Sequence, residues 1–324
     1  MTDDNDGGPG DDGPDDGGMN PAAPSGEQGT RAGFVALVGA PNAGKSTLLN
    51  QLVGTKVSIV SPKVQTTRAR IIGIAMVDAS QIVLVDTPGI FAPKRRLEKA
   101  MVDAAWTGQQ EADRTVLLID AERGLTEQVQ RIVERLETEG KPVWVALNKI
   151  DTVAKETLLG LAQDLAAKPF VEEIFMISAL TGDGVADLKA ALAQSVPPGP
   201  WLYPDDQIAD MPNRMLAAEI TREKLFNRLH QELPYSLTVE TEKWTERKDG
   251  SVRIDQIVYV SRAGHKPIVL GKNGRTLRQV GQAAREELSE LLEQPVHLFL
   301  FVKVRERWLD DPARYREMGL EFPQ

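Results

Sequence analysis

The chain contains no cysteine. That excludes disulfides, thiolate catalysis and cysteine-ligated zinc, and makes a reducing, cytosolic compartment the simplest setting. Histidine is nearly as scarce: His230, His265 and His297 are scattered along the chain, a poor start for a metal cluster. No apolar run reaches the roughly 18 residues that a membrane span needs, and the N-terminus has neither the basic nor the apolar region of a secretory signal. A soluble, intracellular protein is expected. With 324 residues it exceeds the usual single-domain length, so two domains are expected.

The net charge of -9 argues against nucleic acid as a partner until its location is considered. Residues 1–32 hold seven Asp, Glu27 and only Arg31, so most of the acidity sits in a Gly-, Pro- and Asp-rich segment with almost nothing to bury. It is expected to be a disordered tail. Between Arg253 and Arg285 the balance reverses: Arg253, Arg262, Lys266, Lys272, Arg275, Arg278 and Arg285 oppose only Asp255.

"FVALVG" from Phe34 is a short β-rich run, and "STLLNQLV" after it has helical spacing. Between them, Gly39, Ala40, Pro41, Asn42, Ala43, Gly44, Lys45, Ser46 and Thr47 fit G-x-x-x-x-G-K-[ST] in the strand–loop–helix context where that pattern has a mechanism. Backbone N–H groups and the helix N-terminus cradle phosphate, Lys45 reaches the terminal phosphates and Ser46 ligates magnesium. "QIVLVDTPG" then ends a strand at Asp86, whose carboxylate would hold magnesium through water, with the Gly89 amide placed for a terminal phosphate.

"VWVALNKID" sets Asn148, Lys149 and Asp151 at another strand end, where open parallel sheets build their ligand crevice. Asp151 can accept from the N1–H and N2–H edge of guanine; adenine offers no such pair, and sites of this kind discriminate by roughly 10⁴ or more. "FMISAL" leaves Ser178 and Ala179 at the same rim, with the Ala179 amide facing the base O6. Two apolar runs around "DAS" predict a hairpin, preceded by Ser61 to Arg68, a segment suited to closing over a γ-phosphate through Thr66 or Thr67 and magnesium. Sequence does not choose between the two threonines.

These motifs, in this order over residues 33–196, resemble the translation-factor class of small GTPases. Ras-like enzymes carry a water-positioning Gln after "DTPG"; here Ile90 follows, so slow intrinsic hydrolysis is expected. In similar GTPases an Asn in the glycine loop helps hold a monovalent cation beside the phosphates, and Asn42 matches it; its other reading is a turn-former after Pro41.

After Val196 the text turns Pro-rich and non-periodic, which reads as a linker over residues 197–212. Residues 213–324 then follow the order α-β-β-α-GxxG-α-β, the layout of a type II KH domain. Here the glycine loop Gly271-Lys272-Asn273-Gly274 follows a helical turn, not a strand. In KH domains such a loop meets nucleic-acid phosphates beside a groove for about four nucleotides. Lys272, Arg275 and Arg278 would supply charge, with Ile268, Val269 and Leu270 as groove floor and core.

The combination resembles the Era-type GTPases: a P-loop α/β domain, mostly parallel with helices on both faces, joined to an α+β type II KH domain. The resemblance implies GTP and GDP as ligands, magnesium, and potassium through Asn42. It implies a role in small-subunit maturation, contacting the 30S precursor and its ribosomal RNA near the 3′ end, and it allows a weak peripheral contact with the inner membrane. DNA is not expected. A pure RNA-binding adaptor with a structural nucleotide site is the rival reading, and an ATP-using helicase or kinase is disfavoured by "NKID".

Overall fold

The computed structural model describes residues 29–64, 66–306 and 308–323, so the acidic segment lies outside the described residues as far as residue 28. Residues 29–32 do not belong with that tail. Strand β1 (Arg31–Gly39) begins within it, and the Arg31 guanidinium donates to the Val196 and Gln194 carbonyls at 2.8 and 2.9 Å. The tail boundary expected at residue 32 is therefore too late, because Gly29, Thr30 and Arg31 carry no apolar side chain to announce a strand.

After β1 come α1 (Lys45–Val53), β2 (Ile71–Val77), β3 (Ser80–Asp86), α2 (Arg96–Glu111), β4 (Arg114–Asp120), α3 (Glu127–Glu139), β5 (Val143–Asn148), α4 (Lys155–Ala166), β6 (Val171–Ile177) and α5 (Val185–Ser195). The sheet order is β2-β3-β1-β4-β5-β6. Only β2 is antiparallel, paired with β3 through the hairpin at "DAS". Side chains alternate along a strand, so in β1 Leu37 joins the core that holds Leu48, Leu52 and Leu188, while Val38 joins the one that holds Trp106, Ile132 and Leu136. Two apolar cores sandwich the sheet. The ends of β1, β3, β5 and β6 then bring the glycine loop, Asp86, Asn148 and Ser178 to one rim.

The second unit runs α6 (Asn213–Arg228), β7 (Leu237–Glu246), β8 (Val252–Val260), α7 (His265–Leu270), α8 (Arg275–Leu291) and β9 (Val296–Val304). Its sheet order is β7-β8-β9, antiparallel then parallel. Helix α8 buries Val280, Ala284 and Leu288, four residues apart and therefore on one face.

Two segments tie the units together. Residues 197–212 are not a free span: Ile74 N–H donates to the Ile208 carbonyl at 2.9 Å and Asp210 N–H to the Ile72 carbonyl at 3.2 Å, which covers the edge of β2. The last residues, including α9 (Pro312–Glu317), leave the second unit and rest on α2, where Tyr315 and Leu320 pack with Leu97, Ala100 and Met101.

The stretch between α1 and β2 also lies on the second unit. Lys56 pairs with Glu223 of α6 at 2.7 Å and with Glu287 of α8. Arg68 is buried, donating to the Leu237 and Pro234 carbonyls at 2.8 and 3.2 Å between the rings of Phe226 and Trp308. Burial, with the neighbouring Arg222 guanidinium, pushes its proton affinity down. Arg222 in turn donates to the Thr66 carbonyl.

Candidate functional site

A cavity of about 450 Å³ opens at the rim of the large sheet, a size suited to a nucleotide. Of the glycine loop, Pro41, Asn42, Gly44, Lys45, Ser46 and Thr47 line it; Gly39, Ala40 and Ala43 form its backing. Gly44 has φ 99° and a side chain there would meet Asn148 Nδ2 at 2.1 Å, so the loop's close approach to β5 requires glycine.

At the phosphate end, Lys45 is folded back onto the Gly39 and Ala40 carbonyls at 3.1 and 3.0 Å. Burial lowers its pKa to about 8, with Asp86 partly opposing. Beneath it Asp86 Oδ2 accepts from Ser46 Oγ at 2.7 Å, Ser58 Oγ at 3.0 Å and Thr67 Oγ1 at 3.3 Å. Burial raises the Asp86 pKa, against Lys45 and the three hydroxyls. Its Oδ1 is buried without a hydrogen-bond partner. An orphaned carboxylate oxygen beside hydroxyls is a donor set that fits a hard divalent cation such as magnesium.

The structure separates the two threonines. Thr67 Oγ1 lies 2.9 Å from Ser46 Oγ, whereas Thr66 Oγ1 donates to the Lys63 carbonyl at 2.7 Å. Ser58 was not legible in the sequence. It reaches Asp86 because Asn50 of α1 binds the backbone at Val57 and Ser58, curling the chain back.

At the other end, Asn148 acts as a strut: its Nδ2 donates to the Ala43 carbonyl at 2.8 Å and its Oδ1 accepts from Ala179 N–H at 2.9 Å. The Ala179 amide, expected to face a base oxygen, is thus directed at Asn148 in this structure. Ser178 is buried and its Oγ accepts from Thr181 N–H at 3.2 Å. Lys149, with φ 69°, extends to Asp120 at 2.6 Å, a partner at the end of β4 that sequence spacing did not reveal. Asp151 is exposed on the cavity wall.

Gly89 also lines the cavity. The next residue, Ile90, is buried; its N–H donates to the Gly39 carbonyl at 3.0 Å and its carbonyl accepts from Gln128 Nε2 at 2.7 Å. Asn42 has φ 63°, as a turn-former would, and its Nδ2 donates to the Pro62 carbonyl at 2.9 Å.

The second glycine loop faces outward. Lys272, Asn273, Arg275 and Arg278 are all exposed. Gly271 has φ 73°, and a side chain there would strike Thr276 Oγ1 at 2.1 Å; at Gly274, with φ 74°, the space is open. Beside the loop lies a groove of about 460 Å³ between α8 and β9. Its walls are Leu277, Gly281, Leu298 and Leu300, with Arg278 and Arg285 above them.

Of the expected floor and core residues Ile268, Val269 and Leu270, none lines this groove, and two belong to the core. Val269 is fully buried in the core, Leu270 packs against that core, and Ile268 is exposed beside His230 and His265 on another surface. A six-residue helix has one inward face, and the floor comes instead from the long helix. The spacing 274, 278, 281, 285 along α8 carried a readable stripe of small and basic residues.

Residues 34–149 match the family model described as a 50S ribosome-binding GTPase, and residues 232–309 match the KH domain model. The GTPase Era of Mesorhizobium japonicum is 64% identical over 294 residues, covering 91% of this chain and 95% of the relative. That of Dinoroseobacter shibae is 64% identical over 297 residues, covering 90% and 96%. Among solved structures, an Aquifex aeolicus Era variant bound to GDP·AlF4⁻ has TM-score 0.85 and 40% identity, covering 90% of this chain and 99% of its own. An Era complex with MgGDPNP and nucleotides 1506–1542 of 16S ribosomal RNA has the same score, identity and coverage.

Proposed function

The chain belongs to the Era family of GTPases, and from that membership we propose that it hydrolyses GTP while bound near the 3′ end of 16S ribosomal RNA, as a factor in small-subunit assembly. The observation that carries the reading is one segment shared by both sites. Thr66 and Thr67 stand in the phosphate cavity, and the same stretch between α1 and β2 holds α6 through Thr66, α8 through Lys56 and β7 through Arg68. Nucleotide and RNA therefore act on connected elements.

In this reading Ser46, Thr67 and Asp86 would hold magnesium, which would supply positive charge beside the phosphates. Lys45 leaves the loop carbonyls for the phosphates, and Asp151 accepts from the guanine edge. Ile90, aliphatic and buried, holds no water, which makes intrinsic turnover slow. With Asn42 Nδ2 engaged by Pro62, its Oδ1 is the atom for a potassium ion. Turnover should then be faster in potassium than in sodium at matched ionic strength, and equal rates would return Asn42 to a turn role.

The reading places the protein in the cytoplasm. No helix among the described residues is long and apolar enough to cross a membrane, so inner-membrane contact would be peripheral. The description of the model matching residues 34–149 names the large subunit. A crosslinking map of bound RNA in cells separates the two readings: crosslinks near the 16S 3′ end support this proposal, and crosslinks confined to large-subunit RNA overturn it.

A further inference from the structure

We propose that the outer face of the second sheet, at Phe299 and Phe301, is a stacking platform for single-stranded RNA leaving the groove. The inference rests on the RNA-binding reading of the groove.

β9 is the edge strand of its sheet. Because side chains alternate, it serves two surfaces at once: Leu298 and Leu300 line the groove, while Phe299 and Phe301 stand on the opposite face, 41% and 50% exposed. They are the only aromatic residues among the exposed large hydrophobic side chains of the described residues. Exposed rings concentrated in this way mark interaction sites more often than solitary apolar residues do.

Their surroundings suit nucleic acid. The Arg253 guanidinium lies over the Phe299 ring at 4.6 Å while bonded to Asp255 at 3.1 Å. His297 and Lys303, on the same face of β9, are exposed at either end of the pair. Ile257, in register with Phe301 on the neighbouring strand and therefore on the same face, is buried beside that ring. Rings two residues apart on a strand are about 7 Å apart, room for one base on each, and sheet-borne aromatics take bases this way in other RNA-binding folds.

Continuity supplies the occupant. A groove of this kind holds about four nucleotides, and a longer RNA must leave it. One way out crosses β9, a single strand about 5 Å wide, directly onto the two rings. Arg278 and Arg285 stand on the groove side of that crossing; beyond it stand Arg253, paired with Asp255 at 3.1 Å, and Lys303, with Glu242 at 3.8 Å.

The test measures binding of nested single-stranded RNAs from the small-subunit 3′ end, from about four to about twelve nucleotides, to the full-length protein. The Phe299→Ala/Phe301→Ala pair should bind the longest RNA about tenfold or more weaker, since each base stack is lost on alanine replacement, and the shortest within about twofold. Phe299→Tyr/Phe301→Tyr should restore the loss. The platform is overturned if the alanine pair keeps wild-type affinity for the long RNA, weakens both lengths equally, or is not rescued by tyrosine. It is also overturned if the alanine pair changes only self-association, which assigns the face to a second copy. Lys272→Asp/Asn273→Asp reports on the groove separately: wild-type binding of the shortest RNA by that variant defeats the groove reading, whatever the phenylalanines do.

Discussion

The two glycine loops share Gly, Asn and Lys, yet they are built inside out relative to one another. In Gly39–Thr47 the lysine is buried and curled against its own backbone, and the loop's second glycine is pressed against Asn148. In Gly271–Gly274 the lysine and asparagine point to solvent, and the space at the second glycine is open. What precedes each loop accounts for the difference. A strand end delivers the chain into a rim closed on several sides by neighbouring strands, whereas a short helix delivers it to an exposed position at the mouth of an open groove. The closed loop suits a small ligand that it can surround; the open one suits a polymer that passes by.

The largest effect that would break this comparison lies at the base end of the closed site. Asp151→Asn exchanges an acceptor for a donor, so preference for GTP over xanthosine triphosphate should fall by about 10³-fold or more. Competitive titration of both nucleotides reads it directly, and an unchanged preference would remove Asp151 from base recognition.

Next is charge reversal at the open loop. Lys272→Asp with Asn273→Asp places two carboxylates where phosphate approaches and should cost roughly a hundredfold in RNA affinity, by analogy with like-charge juxtapositions worth several kcal/mol. GTP turnover should remain within about twofold, since neither residue touches the cavity. Circular dichroism checks that the variant is folded.

A smaller effect comes from the closed lysine's proton. In the nucleotide-free protein Lys45 sits at about 8 because burial disfavours its charge; phosphate should raise that value again. Above pH 8 the free site has lost the proton that the bound site keeps, so binding takes up a proton and affinity falls with rising pH, by at most about tenfold per unit. Below pH 8 the dependence from this group vanishes. Calorimetry in buffers of different ionisation enthalpy measures the uptake, and no uptake near pH 8.5 would mean that Lys45 is charged in both states.

The smallest is Lys272→Ala, which should lower the salt slope of RNA binding by roughly 0.7, one phosphate contact on a single strand. An exposed cation contributes mainly that term.

The sequence made both loops legible because their signal is local: a glycine spacing, and the kind of element before it. The strand ends at Asp86 and Asn148, and the position of Ala179 just past β6, were legible for the same reason. Ser58 and Asp120 were not, since each reaches its partner through a fold-back or a neighbouring strand with no spacing rule. The apolar residues beside the loop, read as floor and core, divide otherwise: Val269 and Leu270 belong to the core and Ile268 to another surface, since apolar residues next to a turn are commonly core. A binding surface on a helix is better sought among glycines and arginines at helical spacing, as along α8. The contact of residues 308–323 with α2 was likewise hidden, because Tyr315 and Leu320 show that they are buried without showing against what.

The order of elements along the chain also sets an order in time. Every strand of the nucleotide-binding sheet has been made by residue 177, and α5 closes it by Ser195, whereas the edge strand on which the groove depends ends at Val304. At about 5–20 residues per second, a growing polypeptide would have every strand of its nucleotide sheet for roughly 5–20 s before the edge strand of the groove was made. A chain that ends ahead of Val296 lacks the Leu298 and Leu300 wall of the groove, and one that ends ahead of Trp308 also lacks a ring that packs on Arg68, the residue after Thr67.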